Sequence, residues 1–176
     1  MFTLVEPFSA EQTIKKSLFI THVAPITTAQ EALDFFATKH QPEATHNCWA
    51  FKLEQSYRFN DDGEPGGTAG RPILQAIEGQ ELVNVAVLVI RYFGGIKLGT
   101  GGLIRAYGGS AAKCLQQAPR QEIIPTTQII CEASFPDMAI LRSRLLRPEV
   151  SVLAEDFGDQ GVVWTLGIPD ALLVEL

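Results

Sequence analysis

Two glycine-rich stretches hold the residues best placed to do chemistry. Residues 60–70 read NDDGEPGGTAG, and residues 94–102 read GGIKLGTGG. The first sets Asp61, Asp62 and Glu64 around Gly63, with Thr68 following. Carboxylates in this arrangement could hold a magnesium or calcium ion or serve as a base. The D-x-[DN]-x-[DN]-G order and the distal Glu of a calcium loop are missing, however. Asn and Asp beside Gly more often accept hydrogen bonds from their own backbone and build a turn, and the Pro–Gly step favours the same outcome. Asp61, Asp62, Glu64 and Thr68 are therefore assigned chiefly to a structural turn, with a metal loop as the alternative. No catalytic residue, metal or other cofactor is assigned.

The second stretch offers Gly94, Gly95, Lys97, Gly99, Thr100, Gly101 and Gly102. Both GGTAG and GTGG lead into helical patterns, so each could turn backbone N–H groups toward an anion at a helix N-terminus. Neither is a Walker loop or a GxGxxG fingerprint. The charge distribution gives this region its sign. The net charge is −6, yet no Asp or Glu occurs from Leu82 to Gln121, which carries Arg91, Lys97, Arg105, Lys113 and Arg120. That segment is +5 and the remainder −11, an asymmetry that points to a local anion site on an acidic protein. A buried strand and its helix would also have little room for carboxylates.

The expected site therefore pairs Arg91, Lys97 and Arg105 with phosphates and extends to Lys113. Tyr92 and Tyr107 would stack on an exposed base. Arg91 ends a strand and Lys97 lies in a loop, places where side chains usually face solvent. The competing account buries Arg91 against a carboxylate such as Glu64. Ser110 lacks a G-x-S-x-G frame, His46 reads as a structural or rim histidine, and Arg142, Arg144 and Arg147 read as the solvated side of a helix.

These candidates need elements to hold them. Residues 12–24 are rich in β-formers and read as a strand or strand pair closed by Pro25. Thr28 and Glu31 have capping-box spacing ahead of a helix with Ala29, Ala32, Leu33, Phe36 and Ala37 on one face, ended by Pro42. Residues 46–53 form a strand, and NDDGEPGGTAG joins it to a short helix opening at Pro72. Residues 82–93 are almost continuously apolar, as a central strand covered on both faces requires. The helix that follows carries Gly108, Gly109, Ser110 and Ala111, most easily explained by close packing on that central strand. The pattern resets at Pro119–Pro125 into β-α-β-β-α, one strand short of a split βαβ sandwich. Such a gap would leave 126–135 as an open edge, available for dimerisation.

With 176 residues, 46% apolar and 19% charged, the chain is large enough to fold without staples. Cys48, Cys114 and Cys131 have neither disulfide-framework nor zinc spacing, which suggests a reducing, cytoplasmic setting. No export signal or membrane span is visible, the longest apolar run being interrupted by Asn84 and Arg91. A pI near 5.0 argues against a broad basic surface of the kind dedicated nucleic-acid binders carry.

IKKSLFITHVAP (14–25), FNDDGEPGGTAGRPIL (59–74) and above all VLVIRYFGGIKLGTGGLIRAYGG (87–109) closely resemble the IMPACT family, in particular its bacterial YigZ branch. The resemblance implies an α+β chain of two domains. Residues 1–122 would be of the ribosomal-protein-S5 second-domain type. Residues 123–176 would be a ferredoxin-like domain similar to those of elongation factor G, lacking its last strand. Eukaryotic relatives regulate translation during amino-acid starvation but carry a further interaction domain not found here, so their partner is not carried over. The family supplies no catalytic residue. The expected function is non-catalytic binding of RNA, a ribosome or a translation factor. The alternative is an enzyme or sensor for a small phosphorylated metabolite or nucleotide, since S5-type folds are shared with small-molecule kinases.

Overall fold

A short strand, β1 (Phe2–Leu4), precedes a hairpin of β2 (Phe8–Ile14) and β3 (Ser17–Pro25). Its two-residue turn is Lys15–Lys16, both at positive φ (46° and 67°), the backbone that matches the twist of the paired strands. Helix α1 (Ala29–Lys39) starts where the capping spacing predicts, with Thr28 Oγ1 accepting from the Glu31 amide at 3.1 Å. The Glu31 carboxylate closes the box one residue early, on Thr27. Strands β4 (His46–Lys52) and β5 (Tyr57–Asn60) follow. The latter is too short and too exposed to show in the apolar pattern, and it separates the 46–53 strand from the NDDGEPGGTAG loop. Helix α2 (Gly70–Gly79), β6 (Val85–Tyr92), α3 (Gly99–Gln117) and β7 (Arg120–Glu122) complete the first unit, Met1–Ile123. These elements come from a computed structural model that describes residues 1–174.

The main sheet has the order β2-β3-β6-β4-β5, antiparallel throughout, so the least polar strand is its centre. The two-residue period of β6 sends Val85, Val87 and Val89 into a core with α2 and α3. Ala86, Leu88 and Ile90 go to the opposite core, with Ile26, Ala32 and Phe36 at α1. A separate pair, β1 with β7, ties the start of this unit to its end. GTGG, expected as a loop, forms the first turn of α3. Gly108 faces Pro72 on α2 rather than the central strand, Gly109 is exposed, and Ser110 turns to Gln12 of β2.

The second unit begins at Ile124. It contains β8 (Thr126–Ser134), a single 3₁₀ turn, α4 (Met138–Leu145), β9 (Ser151–Phe157), β10 (Gly161–Pro169) and α5 (Asp170–Leu173). Trp164, Leu166 and Ile168 of β10 are fully buried, and Met138, Leu141, Leu145 and Leu146 pack over them. The sheet order is β8-β10-β9, with both neighbours antiparallel to β10. Among the described residues no helix is long and apolar enough to cross a membrane.

Among the described residues β8 pairs only with β10, so one of its edges carries unpaired backbone groups. In dilute solution its amides should fall into two alternating sets, one protected by β10 and one exchanging orders of magnitude faster. Uniform protection along 126–134 by hydrogen exchange would show that a second copy or another segment covers the edge.

Candidate anion-binding interface

The residues expected at one ligand divide between interior and surface. Arg91 is 5% exposed, and as the next odd-numbered position of β6 it points into the α2–α3 side of the sheet. Its Nη1 donates to both oxygens of Glu64 at 3.1 and 2.9 Å, and its Nε donates to Ser17 Oγ at 3.3 Å. The guanidinium carbon lies 5.9 and 5.4 Å from the ring centroids of Phe19 and Phe93. Arg91 therefore does not reach solvent as expected. A cation on a strand this apolar folds only with its charge matched and its donors spent.

Glu64, 7% exposed, is the acceptor on which this cluster converges. Besides Arg91 it receives the Tyr107 hydroxyl at 2.5 Å, and His46 Nε2 stands 3.3 Å away. His46 Nδ1 is 2.7 Å from the Asp62 carbonyl oxygen, so both ring nitrogens face acceptors. Tyr107 is fully buried, edge-on to Phe19, and is not available to stack on a base. Burial, with Cys48 and Glu64 adding to it, holds its hydroxyl protonated and so a donor. Burial likewise pushes the Cys48 thiol well above its usual range, and the Cys114 thiol up to about 12. Ser110 is buried and accepts from Gln12.

The first glycine-rich loop is organised by its aspartates. Asp61 Oδ1 accepts from the amides of Ala69 (3.1 Å) and Gly70 (2.8 Å), and Oδ2 from Gly67 (3.0 Å). It thus caps α2, whose own N-cap residue, Ala69, has no side chain to do so. Asp62 Oδ2 accepts from the Asn47 amide at 2.6 Å, and Asn60 Oδ1 accepts from the Asp62 amide at 2.7 Å, an Asx turn. Thr68 is buried and donates to the Pro65 carbonyl. Among the described residues no three His, Cys, Asp or Glu side chains are placed to share a metal ion.

Lys97, Arg105 and Lys113 are exposed, the last two on α3 at a spacing that keeps them on one side of the helix. Two further cations join them. A Cβ at Gly94 would lie 1.8 Å from the Lys16 carbonyl oxygen, so only glycine lets the loop after β6 settle on the β2–β3 turn. That contact brings Lys15 and Lys16 beside the start of α3. Between them lies a cleft of about 190 Å³ lined by Ile14, Lys15, Leu98, Gly102, Arg105 and Ala106. The Arg105 guanidinium folds back over Gly101, its Nη1 3.4 Å from where a Cβ would stand. The first turn of α3 has no carboxylate and no side-chain cap. Tyr92 takes the opposite face of the sheet from Arg91 and is half-buried near α1. Arg120 is spent on Gln80 and the Leu115 carbonyl. The sequence signal for Lys15 and Lys16 was the hairpin itself, whose position opposite GGIKLGTGG no local pattern reveals.

A family model described as the Impact N-terminal domain matches residues 15–115, which run from the β2–β3 turn through the buried cluster to most of α3. The chain is 44% identical over 160 residues to an "IMPACT family member in pol 5'region" of Thermus thermophilus, covering 89% of this chain and 86% of that one. It is 32% identical over 177 residues to the "IMPACT family member YigZ" of Escherichia coli, with 96% and 86% covered. A crystal structure described as that of a hypothetical protein superposes with a TM-score of 0.70 at 31% identity, over 99% of this chain and 87% of that one. This chain belongs to the IMPACT family, and its YigZ-like character follows from the same matches.

Removing one partner of a buried pair leaves the other charge uncompensated, so Arg91→Ala should cost about 3–5 kcal/mol and lower Tm by at least about 10 °C in a thermal melt. Asp61→Asn keeps size but loses the charge at the α2 terminus. It should cost about 1–2 kcal/mol in urea unfolding without abolishing folding.

Proposed function

We propose that the chain binds RNA or a ribosomal surface, without catalysing a reaction, and serves translation in the cytoplasm. The observation that supports this best is the face formed by Lys97, Arg105 and Lys113 with the turn residues Lys15 and Lys16, all exposed on a protein whose net charge is −6. Gly99, Thr100, Gly101 and Gly102 leave the amides at the start of α3 uncrowded by large side chains, and the positive helix terminus favours a phosphate there. Phosphate contacts of this type position a nucleic acid without reading its sequence. The buried Glu64–Arg91–Tyr107 cluster supports the face from beneath and takes no part in binding. The first-third-second strand order of the second unit agrees with a ferredoxin-like domain, and we assign the first unit to the S5 second-domain type.

The small cleft between Lys15 and Arg105 favours a second reading, a site for a single phosphorylated metabolite or nucleotide. Salt separates the two. A single-stranded RNA held at several phosphates should lose affinity linearly in log salt, with a slope of about −0.7 per contact. Lys97→Ala, Arg105→Ala and Lys113→Ala should each weaken binding of a labelled 20-mer and reduce that slope by about 0.7, with Tm unchanged. Binding of a mononucleotide as tight as that of the 20-mer, with a slope near one contact, would favour the metabolite. Affinity unaffected in the triple variant would exclude both.

A further inference from the structure

We infer that Phe93 is the residue on which RNA stacks: an unpaired base of a single strand lies on the outer face of its ring, and the cations around it hold the neighbouring phosphates. This rests on the RNA-binding reading above and names the side chain that would grip a base. Tyr92 and Tyr107, the residues expected to stack, are turned toward α1 and fully buried, respectively. Phe93 is 46% exposed and stands where the chain leaves β6 for the glycine-rich loop.

The two faces of the ring differ. One is held against Arg91, whose guanidinium carbon lies 5.4 Å from the ring centroid. Arg91 is itself buried, with its donors given to Glu64 and Ser17, so that side is closed to solvent and the exposure of Phe93 belongs to its outer side. The backbone is fixed as well. The Phe93 amide donates to Thr45 Oγ1 at 2.9 Å, next to the start of β4. The following residue, Gly94, abuts the β2–β3 turn so closely that a Cβ there would lie 1.8 Å from the Lys16 carbonyl oxygen and 2.7 Å from the Lys16 Cβ. A ring positioned in this way loses little freedom when a base arrives.

Single exposed apolar side chains are ordinary, and it is the surroundings that distinguish this one. Lys15, Lys16 and Lys97 are all exposed, and the Gly94 contact sets Lys16 beside the ring. A turn with positive φ at both central residues is most readily made by Asn-Gly. Here both positions are Lys, which places two cations at the point of contact with the loop. Ile96 is the only other exposed large apolar residue from Phe93 to Gly102. A protein partner would favour a broader apolar patch, and lysine is depleted at the centre of such interfaces. A single strand offers a π-face and a phosphate with every nucleotide, which is what a ring among lysines fits. Duplex RNA keeps those faces inside its stack. Because every base has a π-face, the ring grips without reading sequence.

A labelled single-stranded 20-mer and inorganic polyphosphate, each titrated into the full chain, separate stacking from phosphate binding. Phe93→Leu keeps an apolar cover over Arg91 and removes the π-face. It should weaken the 20-mer at least about fivefold, with polyphosphate affinity and Tm unchanged. The salt slope should also stay as it is, since no phosphate contact is lost. Phe93→Tyr should bind the 20-mer nearly as the wild type does. A 20-mer carrying 4-thiouridine, crosslinked by light to the wild-type chain, should join at Phe93, and a crosslink confined to other residues would overturn the assignment whether or not Phe93→Leu folds. Wild-type affinity in Phe93→Leu would remove the stacking role and leave the RNA reading standing. Equal losses for the 20-mer and polyphosphate, or Phe93→Tyr as weak as Phe93→Leu, would make the ring only a cover for Arg91. If the wild-type chain does not bind the 20-mer, the RNA reading itself falls and the assignment with it.

Discussion

The carboxylate of Glu64 is the point at which the first unit is tied together. It stands on the loop between β5 and α2, yet its partners come from β6 (Arg91), α3 (Tyr107) and the start of β4 (His46), and Arg91 carries the contact on to Ser17 at the start of β3. A buried charge of either sign would be prohibitive alone, so these segments must reach register together or leave an ion unpaired in the core. Such a network specifies which loop lies over which strand end. It therefore fixes the place where the chain leaves β6 and begins α3, and hence where the exposed cations stand.

The core was legible because it depends on local periods. The continuous apolar run at 85–92, the capping spacing at Thr28 and the turn chemistry of residues 60–70 each follow from backbone geometry that a single segment contains. The composition of the interface was harder to read. Arg91 and Tyr92 are neighbours on a strand whose side chains alternate, and so cannot serve one ligand. That constraint was present in the sequence and is enough to separate them. Which of the two would be buried was not, because both faces of β6 are covered. The partner that decides it, Glu64, lies 27 residues away. Tyr107 is similar, since its helix position shows which face it shares with Leu103 and Ala111 but not that a buried carboxylate waits there.

Gly94 shows how a contact between distant segments is written as a missing side chain. Adding one carbon there would collide with the Lys16 carbonyl, so the approach of the hairpin turn to the α3 loop is set by backbone shape rather than by attraction between side chains. Lys15 and Lys16 would repel Lys97 and Arg105 if electrostatics alone governed the assembly. Backbone contact and the buried cluster hold the cations close despite that repulsion. A like-charged cluster kept together in this way gains when an anion arrives, since the ligand relieves strain that folding has already accepted.

The acidic remainder of the protein sharpens this effect rather than opposing it. At physiological ionic strength a charge is felt over about 8 Å, so a polyanion approaching most of the surface meets carboxylates and is turned away. Near the start of α3 and the hairpin turn the local sign is positive, with Lys15, Lys16, Lys97 and Arg105 all exposed. Glu64 is spent on Arg91 inside the fold and no carboxylate occurs from Leu82 to Gln121, so nothing on that segment itself offsets Lys97 and Arg105, whereas Lys113 shares a small cavity with Glu11 of β2. An overall charge of −6 is thus compatible with the proposed anion binding at this face.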